Sequence, residues 1–371
     1  MQKKKVVYIV SHLDKALAFE WLNDHLDKHK FELSFIMIGD RSTHLARFLQ
    51  ERKTPVTEIT YTSAADLPKV FLKVFFLLFR SRPHVVHTHL WIANITGLFA
   101  AWLLRIPKRI FTRHHAMLHY QEYPSGRKWD VMCNALATQI IAISENVKNI
   151  LIRRDGVKAS KVQIIHHGFD LDYFQHASRV KGNVLREKYG IARDAWPVIG
   201  VVSRYLKLKG IQYIIPAFGM LRQKFPSAHL VLANAQGDYA KEIKSQLQTL
   251  PPTSFTEITF ENDLAALYQM FDVFIHAPVA ADVESFGQTY IEALAAGIPS
   301  VFTLSGVAPE FIRHEYNALV ARFGDAPSLL ESVEHILQNE TLRNDLVVHG
   351  KNSVRQFSLA HMLVKLEALY V

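Results

Sequence analysis

The chain has 371 residues, of which 49% are hydrophobic, and it carries 43 lysines and arginines against 34 acidic residues. This length exceeds what one hydrophobic core usually serves, so we expect two domains. A single cysteine excludes an internal disulfide and fits a reducing compartment. The longest uncharged apolar run, 90–104, is shorter than the roughly 20 residues that cross a bilayer, so we predict a buried helix there. The run 6–10 is too brief for a signal peptide. The sequence therefore predicts a cytoplasmic protein.

Short apolar runs of strand length alternate with longer helical patterns along the whole chain, which is typical of parallel sheets. The first series comprises 5–10, 33–38, 85–89, 109–111, 139–143 and 162–165, and the second comprises 198–202, 229–233, 258–260, 273–275 and 300–302. We predict an α/β protein with two Rossmann-like, doubly wound domains facing across a cleft. The domains are placed at 1–180 and 190–352, and a C-terminal helix over 353–371 crosses back to the first domain.

Positive charge is concentrated in the first half. Residues 1–190 hold 29 basic and 16 acidic residues, a formal charge of +13, whereas residues 191–371 hold 14 and 18, a charge of −4. Within the first half, Lys69–Arg82 combines aromatic residues with four cations, as does a helix lying in a membrane interface. The same segment is equally typical of a core helix whose basic ends reach solvent, so both readings stay open. The charge balance indicates an anionic partner, such as a phospholipid surface.

Histidines are dense in two segments of the first half: His84, His87 and His89, then His114, His115 and His119. His87 and His89 should share one face of a strand, because side chains alternate along a strand with a period of two. Imidazoles are common metal ligands, but the spacing matches no structural zinc pattern, so we expect no metal. One or both of His87 and His89 could equally be satisfied core histidines.

A basic loop opens the second series of elements. The apolar run 198–202 is followed by Ser203–Gly210, which contains Arg204 and Lys209, and then by a helical pattern. In a doubly wound sheet, ligands bind at the carboxyl ends of strands. A planar guanidinium and a compact ammonium group suit a diphosphate. The loop is therefore a candidate phosphate site, although a solvated turn with surface cations has the same composition.

The stretch Glu284–Pro299 contains a second feature that indicates an anion-binding site. A helix is expected to start after Ser285-Phe286-Gly287, where its free N–H groups and positive dipole end favour a negatively charged ligand. Glu292 lies eight residues after Glu284 and is expected to share its face of the helix. Two carboxylates could then flank one ligand and accept hydrogen bonds from vicinal hydroxyls. The alternative is an amphipathic helix with two solvated glutamates.

Together these segments resemble the retaining nucleotide-sugar glycosyltransferases of the GT-B fold, specifically family 4. Arg204 and Lys209-Gly210 match the family's Arg and Lys-Gly pair, and Glu284 to Glu292 matches its Glu-x7-Glu signature. Thr112-Arg113-His114 matches the Thr-x-His that places an active-site histidine near the donor sugar. The resemblance implies transfer of a sugar from a nucleoside diphosphate sugar, without a metal, in glycan, lipopolysaccharide or capsule synthesis. The implied acceptor is a saccharide or a lipid-linked molecule.

The resemblance also assigns roles to individual residues. Glu284 and His114 would orient the sugar as catalytic residues, Glu292 would hold the ribose, and Arg204 and Lys209 would stabilise the departing diphosphate. The other residues implied in donor binding are Ser285, the backbone amides of Phe286 and Gly287, and Thr289.

The chain departs from the family pattern in its first loop, Ser11–Lys15, which lacks the usual Gly-Gly pair. We name His12, Lys15, His89 and His115 as candidates for the acceptor or phosphate side. A sugar-nucleotide epimerase or hydrolase on the same fold is the competing hypothesis. Nucleic acid is not expected as a partner, because the basic half contains no recognised docking motif.

Overall fold

A computed structural model of the chain describes residues 3–371. The described chain divides into two compact units. The first runs to Phe169 and also includes Leu359–Val371, and the second is Asp170–Ser358.

The first unit is built on a seven-stranded parallel sheet with the order β3-β2-β1-β4-β5-β6-β7. Its strands are β1 (Lys4–Ser11), β2 (Phe31–Gly39), β3 (Val56–Thr60), β4 (Val85–His89), β5 (Lys108–Arg113), β6 (Gln139–Ala142) and β7 (Val162–Ile164). Its helices are α1 (Leu17–His25), α2 (His44–Glu51), α3 (Leu67–Ser81), α4 (Trp91–Leu103), α5 (Leu118–Gln121), α6 (Arg127–Leu136) and α7 (Glu145–Arg153). The central strands are buried on both faces, which explains their nearly continuous apolar sequence.

The second unit contains a six-stranded parallel sheet with the order β10-β9-β8-β11-β12-β13. Its strands are β8 (Val198–Val202), β9 (His229–Ala233), β10 (Phe255–Ile258), β11 (Val273–His276), β12 (Ser300–Phe302) and β13 (Leu319–Val320). Its helices are α8 (Leu171–Gln175), α9 (Arg179–Lys188), α10 (Ile211–Lys224), α11 (Ala240–Leu247), α12 (Leu264–Tyr268), α13 (Gln288–Ala295), α14 (Ala308–Phe311), α15 (Ala326–Gln338) and α16 (Glu340–Ser353). Short 3-10 turns occur at Ala64–Asp66, Pro124–Gly126, Ala159–Lys161, Lys207–Lys209, Pro252–Ser254 and Val354–Phe357.

The last helix, α17 (Leu359–Tyr370), belongs to the first unit. Leu363, Leu366 and Tyr370 join the core formed with β1 and β2. The Tyr370 ring packs edge-on against Phe31 at 5.8 Å, and its hydroxyl pairs with that of Tyr8. The last helix of the chain therefore completes a hydrophobic core that β1 and β2 form near its start.

Each sheet has one switch point, where the strand order reverses: between β1 and β4 in the first unit, and between β8 and β11 in the second. Loops that leave the carboxyl ends of two such strands diverge, so a crevice forms there for ligands. The fold places the loop after β4 and the basic loop after β8 at these two points.

The predicted parallel α/β architecture is confirmed. Two edge strands, β3 and β13, were not predicted, and the strand predicted at 258–260 lies instead at Phe255–Ile258. The run 90–104 forms α4 but is not fully buried, because Trp91, Phe99 and Trp102 are exposed. No helix within residues 3–371 has both the length and the apolarity to cross a membrane.

Candidate functional site

The basic loop of the second unit leaves the carboxyl end of β8 and lies directly against the end of β11. Gly210 adopts a φ of 73°, and a Cβ there would be 1.8 Å from the carbonyl oxygen of Ala277. The backbone N–H of Val279 donates to the carbonyl of Leu208 at 3.0 Å. Glycine at position 210 is therefore required for both its left-handed conformation and this close approach.

The predicted cations of this loop differ in their surroundings. Arg204 is exposed, whereas Lys209 is half-buried. The Lys209 Nζ donates to Glu284 Oε1 at 2.5 Å. The structure thus brings Lys209 to the Glu284 segment and leaves Arg204 at the surface of the same loop.

Helix α13 begins beside these loops with an uncapped amino end. Gly287 precedes it with a φ of 89°, and no side chain accepts a hydrogen bond from the first-turn N–H groups. Thr289 Oγ1 is buried and has no hydrogen-bond partner within the described residues. Free donors and a positive dipole end are the features by which helix starts bind phosphate.

Glu284 is buried in a polar cluster at the switch point of the second sheet. Its Oε1 accepts from Lys209 and lies 3.3 Å from His276 Nε2, and its backbone N–H donates to Ser305 Oγ at 3.1 Å. Burial alone would raise the pKa of Glu284, but His276 and Lys209 lower that pKa to about 2. Glu284 is therefore an anion that is held in a fixed orientation.

Glu292 lies on α13 and has a different partner. The Tyr268 hydroxyl donates to Glu292 Oε2 at 2.7 Å, and the carboxyl group is buried. Burial raises the pKa of Glu292 to about 7, although the hydrogen bond from Tyr268 opposes that shift. The expectation that Glu284 and Glu292 share a helix face is wrong, because α13 begins at Gln288 and Glu284 lies in the preceding loop.

Ser285 and Phe286 connect Glu284 to the helix. Phe286 is buried and packs edge-on against Phe357 at 6.0 Å, so its side chain is part of the core. Gly306, at a φ of 63°, fits under this loop, since a Cβ there would lie 2.8 Å from Glu284 Cβ. Ser285 is half-buried. Phe286 can thus serve a ligand through its backbone and not through its ring.

Sequence reasoning missed His276 and Tyr268, the partners of the two glutamates. His276 is the last residue of β11, the strand that flanks the switch point. This position at the carboxyl end of a strand is the feature by which His276 could have been predicted. Tyr268 ends α12, an element whose sequence gave no indication of a contact with Glu292.

In the first unit, His87 and His89 lie on one face of β4, as predicted. Their ring centroids are 4.2 Å apart and both side chains are buried. His87 Nδ1 pairs with the Tyr370 hydroxyl at 2.6 Å and its Nε2 with Thr112 Oγ1 at 2.8 Å. Burial lowers the pKa of His87 to about 3. His87 is therefore a neutral, satisfied core histidine.

His114 follows β5 and contacts two other histidines. Its Nε2 lies 3.0 Å from His89 Nδ1, and its ring stacks on His167 at 5.5 Å. Burial, and then the neighbouring histidines, lower the pKa of His114 well below its usual value. These rings line an apolar cavity of about 70 Å³ beside Tyr8 and Phe19. The active-site histidine implied by the family resemblance is thus a neutral imidazole.

His115 points to a separate polar cluster. Its Nε2 is 3.6 Å from Asp130 Oδ1, and that oxygen forms an ion pair with Arg113 Nη1 at 2.8 Å. His119 Nδ1 pairs with Asp130 Oδ2 at 2.7 Å. Burial favours the neutral acid, yet the two histidines and Arg113 hold the pKa of Asp130 well below its usual range. Ligand atoms of His115, His119 and Asp130 lie within 4.8 Å of one another, the spacing of a metal site. The guanidinium of Arg113, however, already supplies a positive charge to this carboxylate.

His84 lies apart from this cluster. Its Nδ1 accepts a hydrogen bond from the backbone N–H of Lys5 at 3.0 Å.

The glycine-free first loop starts with a residue in the left-handed region. His12 has a φ of 50°, its side chain is exposed, and its ring lies 5.3 Å from that of Tyr61. Lys15, three residues further on, is half-buried. The loop thus adopts at His12 a conformation that glycine would reach with less strain.

Comparison with known proteins agrees with this fold. The model of the Glycosyltransferase Family 4 matches residues 22–173, and that of Glycosyl transferases group 1 matches residues 185–353. The chain belongs to glycosyltransferase family 4, a group of nucleotide-sugar-dependent GT-B enzymes.

Several relatives are similar over most of their length. The capsular polysaccharide biosynthesis glycosyltransferase CapM of Staphylococcus aureus is 27% identical over 81% of this chain and 80% of its own. The UDP-Gal:alpha-D-GlcNAc-diphosphoundecaprenol alpha-1,3-galactosyltransferase of Escherichia coli is 22% identical over 82% and 79%. The crystal structure of Anabaena HepE in complex with UDP-glucose superposes with a TM-score of 0.84, at 19% identity and 98% coverage of both chains.

Proposed function

We propose that the protein transfers a glycosyl group from a UDP-sugar to a lipid-linked saccharide, with retention at the anomeric carbon. The observation that carries the proposal is the convergence of three features at the switch point of the second sheet. These are the basic loop with Arg204 and Lys209, the uncapped start of α13, and the anionic Glu284. The positive groups suit a diphosphate, and the carboxylate suits the hydroxyl groups of a sugar.

The donor contacts follow from chemistry and from the family resemblance. The diphosphate meets Arg204, Lys209 and the amino end of α13, where Thr289 Oγ1 is an unused donor. Glu292 accepts hydrogen bonds from the ribose diol, and Glu284 binds the sugar hydroxyls together with the backbone at Ser285, Phe286 and Gly287. UDP is the proposed nucleotide, since HepE binds UDP-glucose and the E. coli relative is named for UDP-Gal.

The proposed chemistry needs no metal. Negative charge that builds on the departing diphosphate is stabilised by the two cations and by the N–H groups at the start of α13, a form of electrostatic catalysis. Glu284 has a lowered pKa and stays ionised, so it orients hydroxyl groups rather than donating a proton. His114 is a neutral imidazole and contributes hydrogen bonding in the first unit.

The proposed acceptor is lipid-linked because the first unit carries an exposed apolar and basic surface. Helix α3 buries Val70, Val74 and Leu78 and turns Leu72, Phe76 and Phe79 outward, with exposed fractions of 51%, 62% and 54%. Helix α4 extends this surface through the exposed residues Phe99, Trp102 and Leu103, and Phe71 joins the two helices by contact with Phe99 at 5.3 Å. We call the six exposed side chains on the two helices the aromatic patch.

Exposed cations lie on or directly after the same two helices: Lys69, Lys73, Arg80, Arg82 and Arg105. Aromatic rings flanked by cations favour an anionic lipid surface, which attracts basic groups and accepts apolar side chains. A patch of this kind supports peripheral binding to the cytoplasmic membrane face, where a lipid-linked acceptor is within reach. Proteins named for capsule synthesis and for a diphosphoundecaprenol acceptor are among the relatives.

The experiment that tests the proposal is a transfer assay with the purified protein, UDP-glucose or UDP-galactose, and an undecaprenyl-diphosphate-linked saccharide. We expect a lengthened product with the α configuration of the donor, identified by the anomeric coupling constant. A parallel reaction without acceptor distinguishes the alternatives, because an epimerase or hydrolase converts the donor there. Conversion of donor without acceptor, and no lengthened product with it, would contradict the proposal.

A further inference from the structure

His89 is the last residue of β4, and its ring is enclosed by aromatic neighbours. The ring stacks on Tyr8 at 5.1 Å and meets Phe19 edge-on at 4.9 Å. Its Nδ1 lies 3.0 Å from Nε2 of His114. A hydrogen bond at this distance holds one proton, so the two rings constrain each other's tautomer.

Both rings are neutral, because burial lowers the pKa of His89 and of His114 well below the usual value. Each ring therefore carries a single proton. His89 Nε2 is buried and has no hydrogen-bond partner within residues 3–371. If His114 Nε2 held the shared proton, His89 would carry its own proton on this sealed nitrogen.

That placement would bury an N–H group without an acceptor. The opposite placement leaves only an unused lone pair on His89 Nε2. Orphaned buried N–H groups are rarer in proteins than buried acceptors that are not fully used. The shared proton therefore belongs to His89 Nδ1, which donates to His114 Nε2.

We propose that His89 is a positioning residue that fixes His114 as the tautomer with its proton on Nδ1. His114 Nδ1 has no protein partner in the described part of the chain, and the side chain is half-buried at the carboxyl end of β5. His114 then presents a neutral N–H donor to an oxygen atom of the substrate, and it does not act as a general base through Nδ1. The substrate in this statement rests on the proposed function, whereas the tautomer of the free protein does not.

His87 provides a matched comparison on the same face of the same strand. Both of its ring nitrogens are engaged, by Tyr370 and Thr112, so it makes no hydrogen bond to His114. Replacing His87 perturbs an equally buried site and leaves the His89–His114 pair in place.

The test uses nitrogen-15 NMR of the full chain to determine which imidazole nitrogens carry protons, with His114 assigned by the loss of its signals in His114→Gln. We expect wild-type His114 to be protonated on Nδ1 and bare on Nε2. His89→Phe keeps the ring and removes both nitrogens, so His114 should become a mixture of tautomers. His89→Asn offers an amide N–H near the position of Nδ1 and should restore the Nδ1–H form, while His87→Phe should not alter it.

Kinetics with UDP-glucose provide a second readout. We expect kcat of His89→Phe to fall roughly 10- to 100-fold, the range found when the hydrogen-bond partner of a metal-ligating histidine is removed, with a smaller change in KM. His89→Asn should recover most of this loss. A wild-type His114 protonated on Nε2, or an unchanged tautomer in His89→Phe, would overturn the inference. Should the tautomers behave as expected while no variant transfers sugar, the proposed function fails and the role of His89 stands.

Discussion

Lys209 Nζ donates a hydrogen bond to Glu284 Oε1 at 2.5 Å, and this contact joins the loop after β8 to the loop before α13. The family resemblance assigns Lys209 to the diphosphate and Glu284 to the sugar. The residue for the diphosphate is thus held by the residue for the sugar. Because the two side chains are 19% and 8% exposed, their charges interact with little screening by water. Binding of the phosphate and binding of the sugar are therefore linked through one ion pair.

This relationship predicts a strong coupling energy between the two positions. Lys209→Met should lower the free energy of unfolding by roughly 1–3 kcal/mol, because Glu284 loses a charged partner in a buried setting. A double-mutant cycle with Glu284→Gln isolates the interaction. The pair Lys224 and Glu334, at 2.8 Å but with a 59% exposed lysine, serves as control and should couple by less than about 1 kcal/mol. Equal coupling in both pairs would contradict the prediction.

The cluster around Glu284 also shows what sequence reasoning could reach. Gly210, Lys209 and the helix start after Gly287 were predictable, because each follows from a local requirement of charge or backbone conformation. The partner of each glutamate was not, since His276 and Tyr268 come from β11 and α12, and only the tertiary fold brings them near. The assumption that Glu284 belongs to the helix of Glu292 failed because α13 starts only after the left-handed Gly287.

Glu292 predicts a specific pH dependence of stability. Its pKa is about 7 in the folded protein, above the ordinary value of 4.5. The folded state therefore retains a proton that the unfolded state releases, and the resulting stabilisation is complete below pH 4.5 and lost as the pH rises through 7. Glu292→Gln does not titrate, so its stability relative to wild type should increase by roughly 3 kcal/mol between pH 4.5 and pH 8.

Chemical denaturation of both proteins at pH 4.5, 6 and 8 measures this difference. Tyr268→Phe removes the hydrogen bond that favours the carboxylate and should enlarge the loss of stability at high pH. A constant difference between Glu292→Gln and wild type across this range would show that the pKa of Glu292 is not raised.

Two glycines with similar backbone angles separate conformational strain from steric contact. Gly190 and Gly210 have φ values of 69° and 73°, but a Cβ at 190 meets nothing within 4 Å, whereas one at 210 would lie 1.8 Å from the Ala277 carbonyl oxygen. Gly190→Ala should cost about 1–2 kcal/mol in unfolding free energy from strain alone. Gly210→Ala should cost clearly more and should also weaken UDP binding, because the basic loop must move. Equal losses of stability in the two variants would exclude the steric contribution.

The aromatic patch predicts binding to anionic membranes. Phe76→Ser with Trp102→Ser should reduce co-sedimentation with phosphatidylglycerol vesicles at least several-fold, and raising the salt concentration should weaken binding of the wild type. Val180→Ser with Val184→Ser, at exposed positions of α9 in the other unit, is the control and should bind like wild type. Binding that is insensitive to the patch variants would remove the membrane role of α3 and α4.

Sequence patterns predicted the central strands better than they predicted which surfaces are exposed. The central strands are buried on both faces and therefore read as continuous apolar runs, whereas β3, with the sequence VTEIT, is a half-exposed edge strand and gives no such signal. The apolar segment of α3 was equally compatible with burial, and that of α4 was predicted to be a buried helix. Only the packing shows that one face of each helix is exposed, because hydrophobic composition does not determine what covers a residue.

The central claim is that the second unit binds a nucleoside diphosphate through the basic loop and the α13 segment. Calorimetric titration of UDP into wild type, Arg204→Ala and Glu292→Ala tests it most directly, with Arg193→Ala as a control at an 88% exposed arginine. We predict that UDP affinity falls about tenfold or more in Arg204→Ala and in Glu292→Ala, because each variant loses a charged hydrogen bond to the ligand. UDP affinity should stay unchanged in Arg193→Ala. Wild-type affinity for UDP in both Arg204→Ala and Glu292→Ala would contradict the account.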